Sequence, residues 1–164
     1  MSRMEEHRFQ SALINHPEHA RMLGLIADTC NLIERILCDS MAMALSIPSR
    51  KAEAIFYSLQ ASRSRFEVAK TCLERFADEQ YAPLYVKQIE KAQRLFSRRS
   101  TMIHNIWQTR KRGDAGILDL SEPAKSQARD RPISIKEMEK LLSELEDCLN
   151  AILDISIAAH AWKP

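Results

Sequence analysis

A chain of 164 residues that is 45% hydrophobic and 28% charged, with only three glycines, has the length and composition of one globular helical domain; a sandwich, a barrel and a disordered chain are all poorer fits. The net charge of +2 is too small to argue for a nucleic-acid partner, but it is unevenly spread. Between residues 84 and 112, eight Lys and Arg stand against Glu90 alone, a local charge of +7 that leaves −5 for the remainder.

In chain order, residues 1–16 are polar with weak periodicity and are expected to form an arm or a short helix. From Pro17 onward Leu23, Ile26, Cys30, Ile33 and Leu37 recur at three- and four-residue steps, which predicts a long first helix. The stretch "SIPSR" interrupts it, and Pro48 suits the opening of a second helix because the first turn leaves its backbone donor unused. Ile55, Leu59, Ser62, Phe66, Ala69, Leu73 and Phe76 then predict one unbroken buried stripe. A third helix is expected from about Pro83, with Tyr85, Ile89, Ala92, Phe96, Arg99, Ile103 and Ile106 on one face. After Arg112 two glycines and two prolines end the pattern, and a long loop over 113–133 is expected, with a short extended piece at "GILDL". Ser134 and Glu137 form a capping box for a fourth helix that buries Met138, Leu141, Leu142, Leu145, Leu149, Ile152 and Ile155.

Four such helices can bury their stripes only against one another, so the expected fold is all-α, an antiparallel four-helix bundle spanning 17–164 as a single domain. Its longest linker joins helices three and four. The charged N-terminus has no signal-peptide core, and no apolar run is long enough to span a bilayer, so a cytoplasmic protein without a membrane role is expected. Cys30, Cys38, Cys72 and Cys148 lie far apart in apolar pattern and read as reduced, buried hydrophobes. His16 and His19 are three residues apart, as a metal pair can be, but no third ligand stands at recognisable spacing, and neither metal nor cofactor is expected. Gly-rich phosphate loops, G-x-S-x-G and H-E-x-x-H are all absent.

Chemistry concentrates in "RRSTMIHNIW", residues 98–107. With Tyr85 and Ile103 at the centre of the buried stripe, Arg99 falls about 40° from it, whereas Lys87, Lys91, Arg94 and Arg98 cluster on the far side as a basic ridge. An inward guanidinium must be paired, open onto a cleft or meet an anion at an interface. Glu34, Asp39, Glu67, Glu74 and Asp147 are the carboxylates available for pairing, and His104 alone reads as a packed or hydrogen-bonded residue.

Taken together, Arg99 and His104 form an R-x4-H arrangement on the later half of a bundle helix, with Trp107 shortly after. This resembles the HEPN superfamily, whose metal-independent ribonucleases carry an Arg, four to six intervening residues and a His on such a helix. The helix "AEAIFYSLQASRSRFEVAKTCLERF" is also similar to its counterpart in that family, so the resemblance covers roughly residues 17–160. Ser100 stands where members most often carry Asn or Asp, and Asn105 where Gly is frequent.

The resemblance implies an endoribonuclease, a toxin or defence effector, in which the RNA 2'-hydroxyl attacks the adjacent phosphate. His104 would move protons, since imidazole both accepts and donates near neutral pH, and Arg99 would hold the charged phosphorane oxygens. Ser100 would orient either group. Arg94, Arg98, Arg110, Lys111 and Arg112 would contact RNA phosphates. On an ideal helix Arg99 and His104 lie about 140° apart. A distorted helix, a long arginine that reaches round, or a second protomer would reconcile this; a homodimer with facing motifs, as family members form, is the route the resemblance favours, and an antitoxin or other regulatory protein would be a further partner. The other reading is a non-catalytic dimerisation or protein-interaction module in which Arg99 and His104 organise the core.

Overall fold

The computed structural model describes residues 12–111, 113–119 and 129–161. After a short 3-10 helix at Ala12–Asn15 come α1 (Pro17–Ala44), α2 (Ser49–Ser58), α3 (Ser62–Phe76), α4 (Ala82–His104), the strands β1 (Ile106–Thr109), β2 (Ala115–Asp119) and β3 (Arg129–Pro132), and α5 (Ile135–Ala161). The protein is mostly helical, with five α-helices among the described residues where four were expected.

The first difference lies at Leu59–Gln60–Ala61. The second helix breaks there, with Leu59 at φ −82°, ψ 119° and Ala61 at φ −94°, ψ 131°, although neither proline nor glycine is present. What makes the break is tertiary. Arg65 donates from Nε to the Leu59 carbonyl at 2.8 Å and from a terminal nitrogen to Glu34 of α1 at 2.6 Å, and its guanidinium lies 5.3 Å from the centre of the Tyr57 ring. Leu59 therefore satisfies its carbonyl outside the helical ladder. In consequence Ile55 is 49% exposed and Phe76 is 58% exposed, against expectation, while Ala52 and Phe56 are buried.

The second difference is at the end of α4. The expected stripe ran on through Ile106, but the helix stops at His104 and the chain enters β1. The region expected as a loop holds an antiparallel sheet of order β1-β2-β3, with Trp107 opposite Ile117 and Gly116 opposite Pro132. The extended piece expected at "GILDL" is β2. Gly113 turns the β1–β2 hairpin at φ 84°, a conformation costly for any side chain, and its N–H donates to the Arg110 carbonyl at 2.8 Å.

Ion pairs and hydrogen bonds give the packing directions. Lys70–Glu90, Gln93–Glu67 and the edge-to-face Phe66–Phe96 rings step up one seam, so α3 and α4 run antiparallel. His19 donates to the Ile133 carbonyl just before α5, and Ser40 hydrogen-bonds Ser156 near its end, so α1 and α5 run in the same direction. The starts of α1 and α5 and the end of α4 thus gather at the end of the bundle that carries the sheet, while α3 begins beside the middle of α1. Ser134 caps α5, its Oγ accepting from the Glu137 N–H at 3.1 Å, but the Glu137 carboxylate pairs with Arg131. Half of the expected capping box is formed.

Ile26, Ile33, Leu37, Phe56, Phe66, Leu73, Ile89, Met138, Leu141 and Ile152 are among the buried core. All four cysteines are free thiols. Burial pushes Cys30 up to about 12 and Cys38 and Cys148 to about 11. Since the thiolate is the reactive form, the native protein at pH 8 is expected to react with an aromatic disulfide reagent chiefly at partly exposed Cys72, the others labelling only on unfolding. Fast labelling of Cys30 in mass-mapped native protein would contradict that burial.

Candidate functional site

Along the upper part of the α3–α4 seam runs a cleft of about 830 Å³. Its α4 wall carries Gln93, Arg94, Phe96, Ser97, Arg99, Ser100 and His104, and its α3 wall Gln60, Ala61, Ser62, Arg63, Phe66 and Glu67. The break between α2 and α3 opens it, since an unbroken helix would carry residues 59–61 past α4 as another packed turn.

Arg99 is partly buried, as its place on the inward stripe requires. Its Nε is shielded from solvent and has no hydrogen-bond partner, and among the described residues no carboxylate pairs with the guanidinium. Glu34, one of the carboxylates within its range of candidates, is held by Arg65, 2.6 Å away, with side-chain exposures of 8% and 18%. Inward of Arg99 lies Cys30 of α1, whose upward shift by burial is partly opposed by the arginine's charge. An unpaired, partly desolvated guanidinium is a costly group to keep, and it leaves donors free for an anion.

His104 is the last residue of α4 and is exposed in the cleft. The angular gap on an ideal helix does not separate it from Arg99, because both side chains line one cleft within a single chain. Ser100, partly buried, lies on the same wall. Two side chains close the helix end that carries His104. Asn105 donates from Nδ2 to the Thr101 carbonyl at 2.7 Å, and the Trp107 indole donates to the Met102 carbonyl at 2.8 Å, satisfying acceptors that a terminal turn leaves open. The Trp107 ring meets His19 edge to face at 5.8 Å. Trp107→Phe keeps the packing and removes the donor, so a loss of about 1 kcal/mol is expected, together with faster amide hydrogen exchange in the last turn of α4. Unchanged exchange across residues 99–105 would contradict this role.

The other cations divide. Arg94 lines the cleft and is exposed. Arg98 projects the other way and pairs with Glu144 of α5. Arg110 pairs with Asp114 across the hairpin turn at 2.7 Å, Lys111 is exposed on that turn, and Arg112 lies outside the described residues. The structure therefore brings Arg94, Arg99, Ser100 and His104 together and leaves Arg98, Arg110 and Lys111 out of the cleft.

Missed in the sequence was Arg63, which with Ser62 supplies the opposite wall. The repeated "SRSR" before Phe66 was the available signal, but the two arginines part company: Arg65 turns to Glu34, and Arg63 is exposed at the cleft. His16 and His19 bond to Thr109 and to the Ile133 carbonyl, and no cluster of three metal-ligating side chains occurs among the described residues. No helix among those residues is long and apolar enough to cross a membrane.

A scan against models of protein families and searches of curated proteins and of solved structures return no match for this chain.

Proposed function

We propose that the chain is a HEPN-like endoribonuclease whose active cleft holds Arg99, Ser100 and His104 and that cleaves RNA without a metal. The observation that carries the reading is the unpaired Arg99 guanidinium sharing one cleft with an exposed imidazole at the end of the same helix. The R-x4-H resemblance supports it independently of that geometry. The HEPN-type bundle would consist of α1, α3, α4 and α5, with α2 as a short separate helix preceding α3.

The chemistry needs few groups. His104 takes the proton of the 2'-hydroxyl, the 2'-oxygen attacks phosphorus, and the bond from phosphorus to the 5'-oxygen breaks; that oxygen takes up a proton as it leaves. The products are a 2',3'-cyclic phosphate and a free 5'-hydroxyl. Arg99 stabilises the charge that collects on the equatorial oxygens, which is where a permanently charged, bidentate donor contributes most. Ser100 holds the guanidinium or the phosphate in register. By the same resemblance the active form is a homodimer under the control of a regulatory protein.

Purified protein incubated with RNA and with single-stranded DNA, each with and without chelator, tests the proposal. RNA cleavage that survives chelation, with DNA intact, is the expected outcome. Loss of cleavage on chelation would rule out the metal-free route. Absence of cleavage, with Arg99→Ala and His104→Ala losing only thermal stability, would favour a non-catalytic interaction module instead.

A further inference from the structure

The α3–α4 seam gives the cleft a direction. Lys70–Glu90 and Gln93–Glu67 close its lower end with a carboxylate on each wall, and the Phe66–Phe96 pair, ring centres 4.7 Å apart, forms the next step. Continuing in antiparallel register, the following turn sets Ser62 and Arg63 level with Ser97, Arg99 and Ser100. All of them line the same cleft. Arg63 and Arg94 are exposed and, among the described residues, without a hydrogen-bond or ion-pair partner. The first turn of α3 also turns its unused backbone donors to this end, adding a partial positive charge to that wall.

We infer that Arg63, across the cleft from Arg99 and His104, forms with Arg94 on the near rim a phosphate-binding subsite, which takes the phosphate next to the scissile one and makes the substrate single-stranded RNA. The inference rests on reading the cleft as an RNA site. Arg99 reaches inward on one wall while Arg63 and Arg94 stand at the rim, so a strand crossing from rim to interior meets them in succession. The Lys70–Glu90 and Gln93–Glu67 contacts bridge the two walls at the lower end, so the strand leaves past His104. A cavity of about 830 Å³ matches a ligand of a few nucleotides whose bases are free of a complementary strand, whereas a duplex presents its phosphates on a convex surface that a cleft between two packed helices does not admit.

The test is binding, kept apart from cleavage. A fluorescent 2'-O-methyl RNA of eight nucleotides, which lacks the attacking hydroxyl, is titrated by anisotropy, both single-stranded and as a duplex with its complement, at several salt concentrations with wild type, Arg63→Ala and Lys87→Ala, the last lying on the outer face of α4. Arg63→Ala is expected to weaken binding by about tenfold and to flatten the salt dependence by about 0.7, the slope of one single-strand phosphate contact, while Lys87→Ala changes little. Equal effects of the two variants, no binding by wild type, or equal affinity for the duplex would each overturn the inference. If wild type cuts RNA while Arg63→Ala leaves binding and salt slope unchanged, the subsite fails and the catalytic proposal stands. Selective loss of binding in Arg63→Ala, with no cleavage even by wild type, upholds the subsite and removes the catalytic proposal.

Discussion

Arg99→Ala and His104→Ala are each expected to lower kcat for RNA cleavage by about 10²- to 10⁴-fold, the range of losses seen when a proton-transfer group or a charge-stabilising donor is removed. KM is expected to move less, because both groups act most strongly on charge and protons that appear in the transition state. The two variants should part on stability. His104 is exposed at a helix end, so its loss leaves the melting temperature almost unaltered. Arg99 keeps a shielded, unpartnered Nε beside the core, so Arg99→Met, which fills similar volume without charge, is expected to melt at the same temperature or higher. A guanidinium kept for structure would show the opposite pair of results: lower melting temperature and unaltered cleavage.

Glu34→Ala and Arg65→Ala are each expected to destabilise the fold by about 3–5 kcal/mol, because each strands the opposite charge in a mostly buried site. At this chain length the change corresponds to a fall in melting temperature of about 10 °C or somewhat more, read by calorimetry. Arg65→Ala does more than break the pair. It also releases the Leu59 carbonyl that defines the α2–α3 break, so the α3 wall of the cleft is expected to loosen and amide exchange at residues 59–63 to quicken. A double replacement of Glu34 and Arg65 by apolar residues of similar volume should recover much of the stability without restoring that carbonyl's partner. Loss of less than about 1 kcal/mol in either single variant would show that the pair is screened as surface pairs are.

The residues behind these two expectations differ in how far the sequence made them visible. The inward placement of Arg99 was legible because Tyr85, Ile89, Ala92 and Phe96 set the buried face of α4 at a constant angular step, and a guanidinium within that stripe is conspicuous. The long helices α1 and α5 were legible for the same reason, and β2 for its glycine and short apolar run. Periodicity alone did not reveal the break after Ser58, since Leu59 and Ser62 keep the spacing of a continuous helix. The break follows from a contact between Arg65 and Glu34, 31 positions apart in the chain. Arg63 was hidden with it, because its place on the cleft wall depends on where α3 begins. The end of α4 was obscured in a similar way: the stripe runs in register through Ile106, while the Asn105 amide and the Trp107 indole fold back to end the helix at His104. β3, "RDRP", carries no apolar alternation and is held by pairing with β2, which only the fold shows.

The end groups left on cut RNA test the central claim most directly. A synthetic RNA incubated with wild-type protein in excess chelator, then analysed by mass spectrometry beside the same RNA carrying 2'-deoxy sugars at the cut positions, should yield a 2',3'-cyclic phosphate and a 5'-hydroxyl from the first and remain whole in the second. Fragments ending in 5'-phosphate and 3'-hydroxyl, or cutting at the 2'-deoxy positions, would contradict attack by the sugar hydroxyl and with it the role given to Arg99 and His104.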